Sequence, residues 1–157
     1  MAHHGCVVTM SLKERISEDV KTAMRAQERE QLGALRMLTA AIKQREVDER
    51  IELDDTQVLG VIDKMCKQRR ESLEQFEAAG RHDLAKKEAY ELGVLQAYMP
   101  EPLDADELSG LIEEAISEVD AQSMRDMGSV MGILKDKVQG RADMKAVSRT
   151  VREKLSA

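Results

Sequence analysis

"GVLQAYMPEPLDADEL" spans Gly93–Leu108, and its centre, Pro100-Glu101-Pro102, decides how the chain is divided. Each proline fixes its own φ and pushes the preceding residue out of the α region. A helical pattern runs up to Met99. It resumes after Asp104, which stands in capping-box spacing with Glu107. The break therefore reads as a linker over 100–103. It joins an N-terminal helical unit, 10–99, to a C-terminal unit, 104–157. Met10 followed by Ser-Leu-Lys-Glu-Arg reads as the beginning of the folded part, and residues 1–9 read as a tail or an appended remnant.

Outward from the break, apolar residues recur at helical spacing on both sides. Leu12, Ile16, Val20 and Met24 step by four behind a capping Ser11, with Glu14 three residues on. Leu32, Leu35, Leu38 and Ile42 form a second stripe. Asp54, Asp55 and Thr56 signal a third helix, lined by Val58, Leu59, Ile62, Met65, Cys66, Leu73 and Phe76 and stopped by Gly80. Asp83 starts a fourth, with Leu84, Leu92, Leu95 and Met99 inward. Beyond the prolines three more helices follow. Leu108–Val119 come behind Asp104, Met127–Val138 behind Ser123 and Asp126, and Val147, Val151 and Leu155 behind Asp143. The predicted fold is all-α: an N-terminal helical bundle and a small C-terminal three-helix domain.

Composition agrees. Of 157 residues, 42% are hydrophobic but only 2% aromatic. That suits helices built from Ala, Leu, Met, Glu and Lys better than a β-sandwich. No run of about 18 apolar residues exists, so no membrane span is expected. Cys6 lies in the tail and Cys66 in a helix, which makes no disulfide framework and fits a reducing cytoplasm.

Catalytic and metal chemistry find little to stand on. His82 is the only histidine outside the tail and reads as an exposed turn residue. No motif joins it to Cys66 or to a serine as a nucleophile–base pair. Paired Cys or His ligands at zinc spacing are absent, and no Glu-x-x-His marks a di-iron bundle. The reading assigns no catalytic residue, metal or cofactor. A basic cluster at Lys64, Lys67, Gln68, Arg69 and Arg70 is flanked by Asp63, Glu71 and Glu74, and reads as an exposed face with local ion pairs.

Charge is unevenly spread. The net charge is −6, yet the stretch from Arg125 to Ala157 holds eight basic and four acidic residues. Lys135, Lys137, Arg141, Lys145 and Arg149 surround a predicted turn at Gly140, and Arg152 extends the last helix face. Such density can neutralise several phosphates, and the amides that start the last helix favour an anion. No aromatic residue interleaves, so any RNA contact would read backbone and shape. Gly128 and Gly132 lie inside a helical pattern and read as close-packing positions; Gly140 reads as a left-handed helix end.

Three segments carry a family resemblance: "LRMLTAAIKQREVD" (35–48), "KMCKQRRESLEQFEAAGRHDLAKKEAYELGVLQAYMPEPL" (64–103) and "DMGSVMGILKDKVQGRADMKAVSRTVREKL" (126–155). The most specific motifs are R-x-D-L-A at 81–85, Y-M-P at 98–100 and M-G-x-V-M-G…G-R-A-D at 127–143. They resemble the YqeY proteins, and the one departure is Met144, where the family pattern carries Gly. Those proteins are similar to the C-terminal helical and tail regions of the B subunit of glutamine-dependent aminoacyl-tRNA amidotransferase. The resemblance implies a bacterial-type cytoplasmic protein associated with tRNA and lacking the catalytic part of that subunit. Two other functions fit the same residues. One is a protein-interaction module docking on a synthetase or an amidotransferase subunit. The other is a carbon–nitrogen ligase activity with glutamine as amido donor.

Overall fold

The computed structural model describes residues 10–156. The tail expectation for 1–9, with His3, His4 and Cys6, falls outside the described residues. Among those described there are seven α-helices and no strand: α1 Leu12–Arg25, α2 Arg29–Glu49, α3 Asp55–Ala78, α4 His82–Gln96, α5 Ala105–Glu118, α6 Met127–Val138 and α7 Met144–Ser156. One 3₁₀ turn, Met124–Asp126, precedes α6. The fold is all-α. None of the helices is long and apolar enough to cross a membrane.

Side-chain caps start most of the helices where the sequence placed them. Ser11 Oγ accepts from the Glu14 amide at 3.2 Å. Asp54 accepts from the Gln57 amide at 2.8 Å, and Gln57 Oε1 accepts from the Asp54 amide at 2.9 Å. Asp104 accepts from the Glu107 amide at 2.7 Å. Each bond satisfies an amide that the helix itself leaves without a partner. Two starts differ from expectation. The Ser123–Asp126 capping box holds the 3₁₀ turn, and α6 grows from its end. Helix α4 begins at His82 behind Arg81, with Asp83 inside its first turn instead of capping it.

Contacts divide the chain into two compact units, one ending at Tyr98 and the other beginning at Met99. The first is α1–α4. Its core includes Ile16, Leu35, Leu38, Ile42, Val58, Ile62, Cys66 and Leu95. Polar bonds staple its elements. Lys13 Nζ meets Glu46 Oε2 at 2.5 Å, and that same oxygen accepts from the Leu53 amide at 2.9 Å. Tyr98 donates its hydroxyl to Asp19, and the Arg15 guanidinium lies 4.9 Å from the centre of the Tyr98 ring. Burial and the Asp19 carboxylate push the Tyr98 hydroxyl well above its ordinary value, so it stays a donor at every working pH.

Arg69 corrects the sequence reading of the second basic cluster. Lys67 does pair locally with Asp63 at 3.7 Å. Arg69, however, is only 17% exposed and crosses to α4, with Nη1 3.3 Å from Glu88 and Nη2 3.2 Å from Glu91. Ion pairs between distant helices leave no i,i+4 signature, so the sequence offered only the local reading.

The second unit is α5–α7 with its 3₁₀ turn. Its core is Ile112, Ala115, Val130, Leu134, Val138, Val147, Val151 and Leu155. No aromatic ring is among them, so the unit depends on close packing of small aliphatic side chains.

Two outcomes follow for stability. Leu134 is fully buried, so Leu134→Ala should remove about 2–5 kcal/mol. By hydrogen exchange, α5–α7 amides should lose protection while α1–α4 amides keep theirs; equal loss in both sets contradicts two separate cores. The second outcome concerns acid. The Lys13 ammonium and the Leu53 amide hold the Glu46 carboxyl below its ordinary value of 4.5. A depressed carboxyl stabilises the fold above its unfolded pKa and loses that contribution as pH falls through the folded one. Glu46→Gln should therefore be less stable than the parent near neutrality, with the gap closing below about pH 4.5; denaturant titrations at several pH values read this directly.

Candidate nucleic-acid interface

The basic stretch of the C-terminal unit is positioned by the packing of α6 and α7. On α7, Val147, Val151 and Leu155 are buried at four-residue spacing. At 100° per residue this places Lys145, Arg149 and Arg152 within about 60° of one another on the opposite face. All three are exposed, and none forms an ion pair among the described residues. Arg152 was the extension in the sequence reading and is a full member of this face. Lys154 leaves the other flank, where it meets Glu113 of α5 at 3.4 Å.

The remaining predicted cations are not gathered there by α6. Val130, Leu134 and Val138 fix its buried face. Lys135 and Lys137, two residues apart, leave the helix about 160° from each other. Both are exposed. They diverge, so they cannot belong to one patch with equal weight.

Arg141 has a structural task. Gly140 takes φ +79°, the left-handed conformation expected at this helix end. The chain then turns so that the Arg141 amide donates to the Val138 carbonyl at 2.8 Å, and the Arg141 carbonyl accepts from the Leu103 amide at 2.8 Å. Arg141 Nε donates to the Glu101 carbonyl at 2.9 Å. These bonds tie the turn to the proline segment. The guanidinium has five donors and spends this one on the backbone.

Two other sequence expectations change here. Gly128 and Gly132 are not close-packing positions: both are exposed, and a Cβ at either would meet nothing within 4 Å. The G-x-x-x-G spacing placed them correctly on one face, but that face points to solvent because the four-residue stripe Val130–Leu134–Val138 takes the core. The amides at the start of α7 are also less open to an outside anion than the sequence suggested. Asp143 already accepts from the Lys145 amide at 3.1 Å.

Cys66 is 1% exposed, and burial pushes its thiol up, which keeps it in the unreactive protonated form. His82 is exposed at the start of α4. Among the described residues no group of three or more His, Cys, Asp or Glu side chains is arranged to hold a metal ion.

Comparison with known proteins agrees with the resemblance in the sequence. The family model described as "Yqey-like protein" matches residues 13–155. "Altered inheritance of mitochondria protein 41, mitochondrial" from Pyrenophora tritici-repentis is 31% identical over 146 residues, covering 91% of this chain and 80% of that protein. The protein of the same name from Eremothecium gossypii is 39% identical over 85 residues, 54% of this chain and 46% of its own length. The Kluyveromyces lactis protein is 32% identical over 84 residues, 53% and 45% of the two chains. With nearly its whole length matched by one family model, the chain belongs to the YqeY family.

Proposed function

We propose that the protein is a non-catalytic accessory protein that associates with tRNA, and that α7 of its C-terminal unit meets the phosphates of the folded RNA. The observation that carries this reading is the exposed, unpaired face of Lys145, Arg149 and Arg152. Cations free of neighbouring carboxylates release the most counterion when they meet a phosphate backbone. Lys135 and Lys137 act as flanking contacts. Arg141 adds its remaining N–H donors while holding the turn. The absence of any aromatic side chain from the C-terminal unit favours recognition of shape and backbone over base stacking. Resemblance of the sequence to the tail of the amidotransferase B subunit supports tRNA as the RNA. The cytoplasm is the compartment this reading assigns.

A second reading, docking on a synthetase or an amidotransferase subunit, draws on a different surface. Val47, in the last turn of α2, is 61% exposed, and Ile51, two residues beyond the helix, is 40% exposed. Exposed apolar pairs of this kind suit a protein contact more than a phosphate backbone.

Charge reversal of Lys145, Arg149 and Arg152 to Glu should weaken tRNA binding at least tenfold in a mobility-shift assay. Each lost phosphate contact should lower the slope of log affinity against log salt by about 1. Unchanged affinity and slope would remove the reading. Arg141 behaves differently because of its backbone bond: Arg141→Gln should cost about 0.5–1.5 kcal/mol of stability. Lys145→Gln should stay within about 0.5 kcal/mol. Thermal unfolding of the two single variants makes the comparison.

A further inference from the structure

The first unit holds a groove between α2 and α4, with a volume of about 760 Å³. That is within the range of small-ligand sites, roughly 300–1,000 Å³. Its walls carry the thioether of Met37 and the ring of Tyr90, which are 43% and 42% exposed. Both are large apolar side chains left open to water at one place. Its lining also contains Glu91, a carboxylate that is 92% buried by residue surface, since 8% remains exposed.

Glu91 shares its cationic partner with a second carboxylate. Arg69 divides itself between Glu88 and Glu91, reaching Glu91 Oε2 with Nη2 at 3.2 Å. Arg69 Nη2 also donates to Met37 Sδ at 3.5 Å, which holds that wall of the groove in place. Two carboxylates thus share one guanidinium. Arg69 is the one ion-pair partner of Glu91 among the described residues. Glu91 lines the groove, so its carboxylate offers an acceptor there. The lining also carries the opposite sign. Arg29, Lys86 and Lys87 belong to it, are exposed, and form no ion pair among the described residues. Of the exposed acids in the lining, Asp83 is already bonded to Arg81 at 3.3 Å, which leaves Glu30 beside the three cations.

We propose that this groove binds a purine nucleotide, with the base against Tyr90 and Met37, an N–H of the base donated to Glu91, and the phosphate held by Arg29, Lys86 and Lys87. Each part of the ligand answers a feature of the groove. A flat ring covers an exposed tyrosine and a polarizable sulfur. A ring amine or imine N–H donates to a carboxylate that a hydrocarbon would cover without a hydrogen bond. A phosphate suits cations with no partner of their own. The nucleotide can be free or an unpaired residue of an RNA chain; the chemistry at the groove is the same. This site is separate from α7 and does not rest on the reading of that helix.

Calorimetric titration of the full chain tests the site, with AMP and GMP, adenosine, inorganic phosphate and a short unpaired oligoadenylate as probes. A nucleotide or the oligoadenylate should bind at least tenfold more tightly than adenosine or phosphate. Binding of AMP identifies a free nucleotide as sufficient; binding of the oligoadenylate alone identifies an RNA chain as the source. Tyr90→Ala, and separately Lys86→Glu with Lys87→Glu, should each weaken binding at least tenfold. Tyr90→Phe should retain it, and reversal of Lys145, Arg149 and Arg152 should leave it unchanged. All substituted positions in the groove are exposed, and circular dichroism checks that the helices persist. No binding of any nucleotide or oligonucleotide at millimolar concentration overturns the proposal. So does binding that both groove variants leave intact, or phosphate binding as tight as AMP.

Discussion

Burial of Val147, Val151 and Leu155 along one side of α7 is the constraint on which the exposed basic face depends. A helix that must give three aliphatic side chains to a small core has no freedom to rotate. Lys145, Arg149 and Arg152 are therefore held outward together, whatever their own preferences. The core they oppose contains no aromatic residue. Its stability comes from many modest contacts, and each residue on the α7 stripe counts heavily. Charge presentation and unit stability are thus two sides of one packing arrangement.

The turn before α7 adds a second constraint. Gly140 in the left-handed region lets the chain reverse, and Arg141 fastens the reversal to Glu101 and Leu103 through both backbone and side chain. The segment with two prolines is consequently held by hydrogen bonds to the C-terminal unit. The same residue that looks like a phosphate ligand in the sequence is also a structural fastener, which explains why its substitution differs in kind from that of its neighbours.

Much of the fold was legible because helices announce themselves locally. Four-residue apolar stripes and capping residues at Ser11, Asp54 and Asp104 are short-range signals, and the structure uses them where they occur. What the sequence hid is long-range. Arg69 has acidic neighbours on its own helix, and only the packing of α3 against α4 reveals that it serves Glu88 and Glu91 instead. Burial of Glu91 itself was invisible, since nothing in a local window distinguishes it from the exposed glutamates around it. At the basic surface, counting cations marks a stretch of the chain but not how its side chains are grouped in space. Lys135 and Lys137 sit close in sequence yet leave α6 on opposite flanks, while Arg152 joins Lys145 across seven residues. Gly128 and Gly132 show the same limit: their spacing fixes a shared face, and the competition of Val130, Leu134 and Val138 decides that the face is solvent.

The two units divide the chemistry. In the first, polar side chains are drawn into bonds that cross between helices, as with Lys13, Tyr98 and Arg69. In the second, Lys145, Arg149 and Arg152 of α7 form no ion pair among the described residues and stand on a firmly packed helix, while Lys154 meets Glu113. The most direct measurement is a lysine-reactivity footprint of the full chain with and without tRNA, read by mass spectrometry. The account predicts strong protection of Lys145, weaker protection of Lys135 and Lys137, and unchanged reactivity at Lys154, which is engaged with Glu113. Protection spread evenly over lysines of both units, or unchanged reactivity at Lys145, would contradict it.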